Sequence, residues 1–392
     1  MTILYIHQYF KTPMEPGGTR SYWIAKKMIE KGHSVIMISC TNDPSKKGKI
    51  IDIDGIKVYY LNVPYEQKMG IVKRLYAFVK FMILSIFYVF KLRFKYDKIY
   101  ATSTPLTVGI PALFGNYMLK KPYVFEVRDL WPEVPIQLGV IKNPILITML
   151  RQLERLIYTR SKTIIALSPG MEKGVLDQKI SPNKVVMIPN MSKPDEFYPR
   201  AKNQHFFDKK ILSSEKLSII YFGSIGKTNG LEEVVSFFGK IQNIPVELII
   251  AGSGSEREKL IEISNSSEFK NVNFIGDYKM SAISEIVNCC DLSLVSFDNI
   301  PILSTNSPNK FFDSLSAGKP VIVNSNGWTK DIVLKHKCGY YYERDNFKSF
   351  MKMMNEIIKD KENFDEMGKI SRNLSLTMFN KENLTELIVQ QL

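Results

Sequence analysis

Leu217-Ser218-Ile219-Ile220-Tyr221-Phe222-Gly223-Ser224-Ile225-Gly226-Lys227-Thr228-Asn229-Gly230 is the stretch on which the fold turns. A short apolar, β-branched run suits a buried strand, the glycines after it end that strand, and a helix-length segment follows. Strand, glycine loop and helix in this order imply a parallel sheet with crossover helices. The plan continues downstream, where Glu247–Ala251, Val272–Ile275, Leu292–Val295 and Val321–Val323 are candidate strands. Upstream, the candidates are Ile3–His7, Val35–Ser39, Val58–Leu61, Lys98–Ala101, Tyr123–Glu126, Thr163–Leu167 and Val185–Ile188. The chain therefore reads as α/β, with two doubly wound, Rossmann-like domains.

A length of 392 residues accommodates two domains of roughly 150–200 residues each. Ser192–Glu215 is polar and poorly periodic, carries Pro194 and Pro199, and reads as the linker. This gives a first domain over 1–192, a linker over 193–215, a second domain over 216–374 and a terminal segment over 375–392, with a cleft expected beside the linker. Cys40, Cys289, Cys290 and Cys338 have no metal-ligand spacing and fit a reduced compartment. The start, Met1-Thr2-Ile3-Leu4-Tyr5-Ile6, reads as a strand and not as an export signal, so the expected location is inside the cell.

The formal charge is +14, from 53 Lys and Arg against 39 Asp and Glu, which points to an anionic partner. Half of it lies between Gln67 and Tyr96, where Lys68, Lys73, Arg74, Lys80, Lys91, Arg93 and Lys95 flank an uninterrupted apolar run, Phe81 to Phe90, with no acidic residue. That run is well short of the about 20 residues needed to span a bilayer. Ile71, Leu75, Phe78, Met82, Ile86 and Phe90 fall on one helical face, and the segment reads as an amphipathic helix on an anionic membrane surface. A helix covering a sheet, with solvated lysines, is the other reading. Nucleic acid is disfavoured because the charge coincides with an apolar stretch and no aromatic platform accompanies it.

Several strand ends carry groups suited to anions and hydroxyls. Gly17 and Gly18 precede a helix beginning near Ser21, where backbone N–H groups and the helix dipole favour phosphate, and Arg20 would add a charged fork. A plain turn explains the glycines equally well. Glu126-Val127-Arg128-Asp129-Leu130-Trp131-Pro132-Glu133 crowds charge at a strand end, with Asp129 suited to orient or deprotonate a hydroxyl and Arg128 to hold phosphate. An Arg–Asp pair that merely pins the loop is the alternative. In the second half, Gly223, Ser224 and Lys227 suit a diphosphate, while Gly252, Gly254 and Tyr278 sit at further strand ends. The strongest local pattern is Ser307-Pro308-Asn309-Lys310-Phe311-Phe312-Asp313, a helix start whose N-terminus, with Asn309 and Lys310, meets phosphate. Asp313, one turn on, suits ribose hydroxyls.

Taken in order, Pro16-Gly17-Gly18-Thr19-Arg20, Val127-Arg128-Asp129-Leu130-Trp131-Pro132, Ile188-Pro189-Asn190, Gly223-Ser224-Ile225-Gly226, Ala251-Gly252-Ser253-Gly254, Cys290-Asp291-Leu292 and Pro308-Asn309-Lys310 through Val321 resemble glycosyltransferase family 4. The likeness is to retaining GT-B enzymes, and within them to bacterial O-antigen and capsule transferases of the fucosamine-transferase-like type. It implies two domains facing across a cleft, a nucleotide-sugar donor, UDP-linked, in the second, and a lipid-linked (polyprenyl diphosphate) glycan acceptor in the first. It also implies Lys227 as the phosphate cation with Lys310 second, Arg128 and Asp129 near the acceptor, no metal or other cofactor, and a chain end that packs back on the first domain. The implied location is peripheral, on the cytoplasmic face of the plasma membrane. The family places two glutamates eight positions apart, and here those positions hold Thr305 and Asp313. The sugar-side glutamate is thus absent and the ribose-side one is a methylene shorter. A nucleotide-sugar epimerase of the same shape and a non-catalytic sugar-nucleotide-binding subunit are the competing readings.

Overall fold

Strands buried on both faces carry near-continuous apolar runs, and both sheets follow this rule. The computed structural model describes residues 1–15, 17–65, 69–209 and 211–392. One unit comprises Met1–Pro189 with Glu382–Leu392, and the other Asn190–Lys381. The first sheet contains β1 (Thr2–Ile6), β2 (Ser34–Cys40), β3 (Ile50–Ile53), β4 (Ile56–Leu61), β5 (Lys98–Thr102), β6 (Tyr123–Val127), β7 (Thr163–Ala166) and β8 (Val185–Met187). Their order is β3-β4-β2-β1-β5-β6-β7-β8, parallel except for the β3–β4 hairpin. The second sheet contains β9 (Leu217–Phe222), β10 (Val246–Ala251), β11 (Val272–Gly276), β12 (Leu292–Val295), β13 (Val321–Val323) and β14 (Gly339–Tyr341), in the order β11-β10-β9-β12-β13-β14. All its ladders are parallel.

Two strands escape the sequence pattern. β3 is an edge strand with alternating exposure, joined to β4 through Asp54-Gly55, both at positive φ. Asp-Gly between apolar runs is a strong two-residue hairpin signal, and it lies in the sequence. β14 is three residues long and sits at the edge of its sheet, too short to declare itself.

The segment expected to be a linker is part of the second unit. Phe197 is fully buried, Phe206 and Leu212 nearly so, and the Phe197 ring stacks on Phe222 of β9 with centroids 6.1 Å apart. The apolar residues there are spaced irregularly because the chain runs across the surface as a strap, so no period marks them. The chain end also departs from expectation: residues 375–381 stay with the second unit, where Phe379 meets Phe312 at 5.1 Å, and the return to the first begins at Glu382. There Glu382 pairs with Lys27 at 2.6 Å and Glu386 with Lys31 at 2.7 Å.

The basic apolar segment forms the helix Ile71–Lys91; Gln67 and Lys68 of the expected segment, and Pro16 of the first glycine motif, lie outside the described residues. Its buried line is Ala77, Phe81, Ser85 and Val89, which pack toward β2 and the helix Gly109–Leu119. The face expected on the membrane is not the most exposed one: Phe78, Met82, Ile86 and Phe90 are half-buried and Leu75 is exposed, while the Ile71 side chain lies outside those described. An apolar run that goes all the way round a helix gives periodicity nothing to choose with. The opposite side exposes Val72, Tyr76, Val79, Ile83 and Phe87, spaced at helical intervals. No helix among the described residues is long and apolar enough to cross a membrane.

Candidate functional site

In the second unit, the loops leaving β9 and β10 are laid directly on one another. Gly223 N–H donates to Ala251 O at 2.9 Å and Ile225 N–H to Ser253 O at 2.8 Å. A Cβ on Gly252 would stand 1.9 Å from Gly223 O, and one on Gly254 2.2 Å from Ile225 O. Both glycines are thus required by backbone approach, a reason the sequence reading left open between turn and binding. The paired loops hold Gly223 and Ser224 exposed along the C-terminal edge of the sheet, where its inner strands end.

Lys310 reaches into this edge from the helix Asn309–Ser316. Its ammonium lies over the Tyr221 ring, 3.7 Å from the centroid, and donates to the Tyr221 hydroxyl. That hydroxyl in turn donates to Ser224 O at 2.6 Å. The stem of Lys310 passes Gly223, whose Cβ position is 3.7 Å from Lys310 Cε. No carboxylate among the described residues stands within ion-pair distance of Lys310, and desolvation pushes its ammonium down to about 7. A desolvated cation with a π-face as its neighbour and no counter-ion is arranged to receive an anion. Tyr221 was not singled out from the sequence; an aromatic inside an apolar strand gives no sign of carrying a lysine.

Asp313, expected at the ribose, is turned elsewhere. It is 3% exposed and faces Lys193 at 3.2 Å, with Glu196 on the same ammonium at 3.6 Å. Desolvation raises the Asp313 carboxyl to about 6, against the pull of Lys193. Desolvation alone would lower Lys193, yet Asp313 and Glu196 together hold it raised. This places Asp313 in a buried ion cluster inside the second unit and not on an open face, a correction that follows from the packed strap carrying Lys193. Thr305 ends the short turn Pro301–Thr305, its hydroxyl donating to Ile302 O at 2.7 Å. Lys227 is exposed on the turn Lys227–Asn229, while Asn309 opens its helix behind Pro308 and Tyr278 is half-buried against the β9–β10 core.

In the first unit, Gly17 is exposed and Gly18 half-buried ahead of the helix Arg20–Glu30. Arg20 is not available to a phosphate. Its Nε donates to Glu126 at 2.7 Å, its Nη1 to Pro189 O at 2.5 Å and its Nη2 to Ile188 O at 3.2 Å. Both side chains of the ion pair are within 1% of complete burial, so the fork is a structural tie between β6 and the end of β8. Asp129 is held by Thr104, whose hydroxyl donates to it at 3.0 Å, and not by Arg128. Burial pushes the Asp129 carboxyl up, while Thr104 and Arg128 oppose that shift. Beyond it, the rings of Trp131, Phe78, Tyr65 and Tyr9 run in sequence at 6.4, 5.8 and 4.7 Å. Among the described residues, no three His, Cys, Asp or Glu side chains are grouped to hold a metal ion.

Known proteins share this fold. Residues 17–191 match a family described as a glycosyl transferase 4-like domain, and residues 202–374 one described as glycosyl transferases group 1. The "Probable glycosyltransferase WbjE" of Pseudomonas aeruginosa is 22% identical over 208 residues, 53% of this chain and 52% of that protein. The chain thus spans about half the length of that curated relative. Two solved structures, each 14% identical, match along nearly their whole length. Anabaena HepE in complex with UDP and glucose has a TM-score of 0.74 over 99% of this chain and 98% of its own. WaaG, a glycosyltransferase involved in lipopolysaccharide biosynthesis, has a TM-score of 0.68 over 100% and 99%. At such identity the likeness carries the fold, two Rossmann-like units of the GT-B type.

Proposed function

Because the chain is a GT-B glycosyltransferase of the family-4-like kind, we propose that it moves a sugar from a nucleoside diphosphate sugar to a lipid-linked glycan in bacterial surface polysaccharide synthesis, with retention of anomeric configuration. The observation that carries this reading is Lys310, a desolvated cation on the Tyr221 ring beside the exposed Gly223–Ser224 edge. A diphosphate leaving group is the anion it suits, and UDP is the favoured nucleotide because the similar HepE structure holds UDP.

In the proposed reaction the bond between the anomeric carbon and the diphosphate breaks, and an acceptor hydroxyl bonds to the same face. The hydroxyl proton passes to the departing phosphate oxygen. Lys310, Lys227 and the backbone amides of the glycine loop neutralise charge as it develops on the diphosphate. Asp129, in its desolvated place beside Thr104, accepts a hydrogen bond from the acceptor hydroxyl and so orients it. Arg128 supplies positive charge beside it, and no metal or other cofactor enters the proposal.

The same reading assigns the exposed stripe Val72, Tyr76, Val79, Ile83 and Phe87 to the inner membrane surface, where the acceptor lipid resides. Lys91 lies 5.6 Å from the Phe87 ring and Arg93 4.5 Å from that of Phe94, itself 87% exposed. Cations seated on exposed rings suit the headgroup boundary of an anionic leaflet. The helix Pro144–Arg160 adds Ile145 and Met149, exposed by 72% and 61%.

The test offers purified protein UDP-, GDP- and dTDP-sugars with membrane extract carrying lipid-linked sugars, and reads release of free nucleoside diphosphate. Acceptor-dependent release from one donor class, lowered at least about tenfold in Lys310→Met, is the expected result. Silence across all donors, from folded protein and competent extract, would sink the proposal. In the same preparation, wild type should sediment with phosphatidylglycerol vesicles and Phe87→Asp should not.

A further inference from the structure

Arg344 lies just beyond β14, outside every motif that marked the site from sequence, yet its guanidinium joins loops from three strands. Nη1 donates to Gly230 O at 3.0 Å and to Phe297 O at 2.5 Å. Nε faces Glu233 at 3.3 Å and Nη2 faces Asp298 at 3.3 Å, with the Arg344 side chain only 10% exposed. Gly230 ends the turn that carries Lys227, Glu233 lies in the first turn of the helix after it, and Phe297 and Asp298 follow β12.

The guanidinium does not act alone. Asp298 N–H donates to Thr228 O at 2.8 Å and Ser296 Oγ to Asn229 O at 2.8 Å. With Arg344 on Gly230 O, three successive carbonyls of the Lys227 turn are thereby taken by donors from outside it. The 296–298 loop is in turn fixed by Asn324, which accepts from Phe297 N–H at 2.9 Å and donates to Ser296 Oγ at 3.0 Å. The same loop runs on through Pro301–Thr305 to the helix of Lys310. The clamp therefore sets the turn of one candidate phosphate cation against the segment that leads to the other.

We propose that Arg344 is a positioning residue of the donor site, locking the Gly226–Gly230 turn to the 296–299 loop so that the site takes a diphosphate in preference to a monophosphate. The proposal rests on the reading of the second unit as the nucleoside diphosphate sugar site. Arg344 is itself no phosphate ligand, since Glu233 and Asp298 match its charge and two carbonyls occupy Nη1. A lysine would keep the charge but not the fork that reaches two carbonyls and two carboxylates at once.

The experiment takes whichever of UDP, GDP and dTDP wild type binds, and titrates it and its monophosphate calorimetrically into wild type, Arg344→Lys and Glu233→Gln. Arg344→Lys should weaken the diphosphate about tenfold and the monophosphate less than about twofold, because only the diphosphate depends on the turn being held. Glu233→Gln, which keeps the fork and removes one anchor, should change the ratio in the same direction by about threefold, and it decides the matter if Arg344→Lys does not fold. Lys227→Ala should lower diphosphate affinity by itself, and Arg344→Lys should add little to that loss, since both act through one turn. Equal losses for both nucleotides would reduce Arg344 to general support of the unit, and unchanged affinities would remove its role; either overturns the proposal. Wild type that binds none of the three diphosphates overturns the donor-site reading beneath it.

Discussion

Arg20 and Lys310 each stand within the first two residues of a helix that follows an inner strand of a sheet, and each is a candidate for phosphate by sequence. In the first unit Arg20 is sealed against Glu126 at 2.7 Å, with the Ile188 and Pro189 carbonyls on its other nitrogens. In the second, Lys310 has the Tyr221 ring and hydroxyl, with no carboxylate within ion-pair distance among the described residues. Arg20 is buried and Lys310 half-buried, but only Arg20 has its charge matched by the protein. A desolvated cation that is paired keeps its proton and ties elements together; one that is unpaired tends to lose it and waits for an anion. What separates a structural cation from a binding one is therefore its partner, not its motif.

The largest effect should come from breaking the paired side. Arg20→Met strands the Glu126 carboxylate, whose remaining hydrogen bond from the Thr102 hydroxyl, at 2.9 Å, brings no charge. Removing one member of a buried pair costs about 3–5 kcal/mol, so the urea midpoint should fall steeply. Replacing both members, Arg20→Met with Glu126→Leu, should recover much of that loss. A single variant within about 1 kcal/mol of wild type would mean that Arg20 does not tie β6 to the end of β8. The unpaired side should respond in the opposite sense. Lys310→Met removes an uncompensated cation, so the free protein should be as stable as wild type or more so, while nucleoside diphosphate affinity falls about tenfold to a hundredfold. Lost stability with unchanged affinity would reverse the assignment of the two cations.

The sequence carried the strands that lie inside the sheets, because burial on both faces leaves an unbroken apolar run. It carried the glycine loops as well, though not why Gly252 and Gly254 are glycines, since only the facing backbone of Gly223 and Ile225 supplies the reason. Lys310 was legible as a cation at a helix start. Its standing as the unmatched one was not, because that depends on Asp313 being turned toward Lys193, more than a hundred positions upstream in sequence. Arg20 was misjudged for the same reason: Glu126 and the 188–189 carbonyls are brought to it only by the sheet. The strap over 193–215 and the buried face of the Ile71–Lys91 helix escaped because neither carries a periodic pattern. Arg344 had no local signal beyond the charged triplet Glu343-Arg344-Asp345.

The finest test of the unpaired cation is its response to pH. Lys310 has its ammonium pushed down to about 7 in the free protein. In the unfolded chain a lysine titrates near ~10.4. Between these two values the unfolded state binds more protons than the folded one, so this group makes wild type more stable as pH rises from about 7. Below about 7 the cost of holding the charged form without a partner is fully present. The stability advantage of Lys310→Met over wild type should therefore be largest near pH 6 and shrink toward pH 10, a difference that other titrating groups cancel out of. A bound diphosphate reverses the preference by supplying the missing counter-charge, so binding at pH 8 should draw a proton onto Lys310. Calorimetry in two buffers of different ionisation enthalpy reads that uptake directly. Wild-type affinity should decline above pH 7 by at most tenfold per unit, the limit for one proton, while Lys310→Met should show a flat profile. Equal slopes in the two proteins would place the titrating group elsewhere and leave Lys310 no different in kind from Arg20.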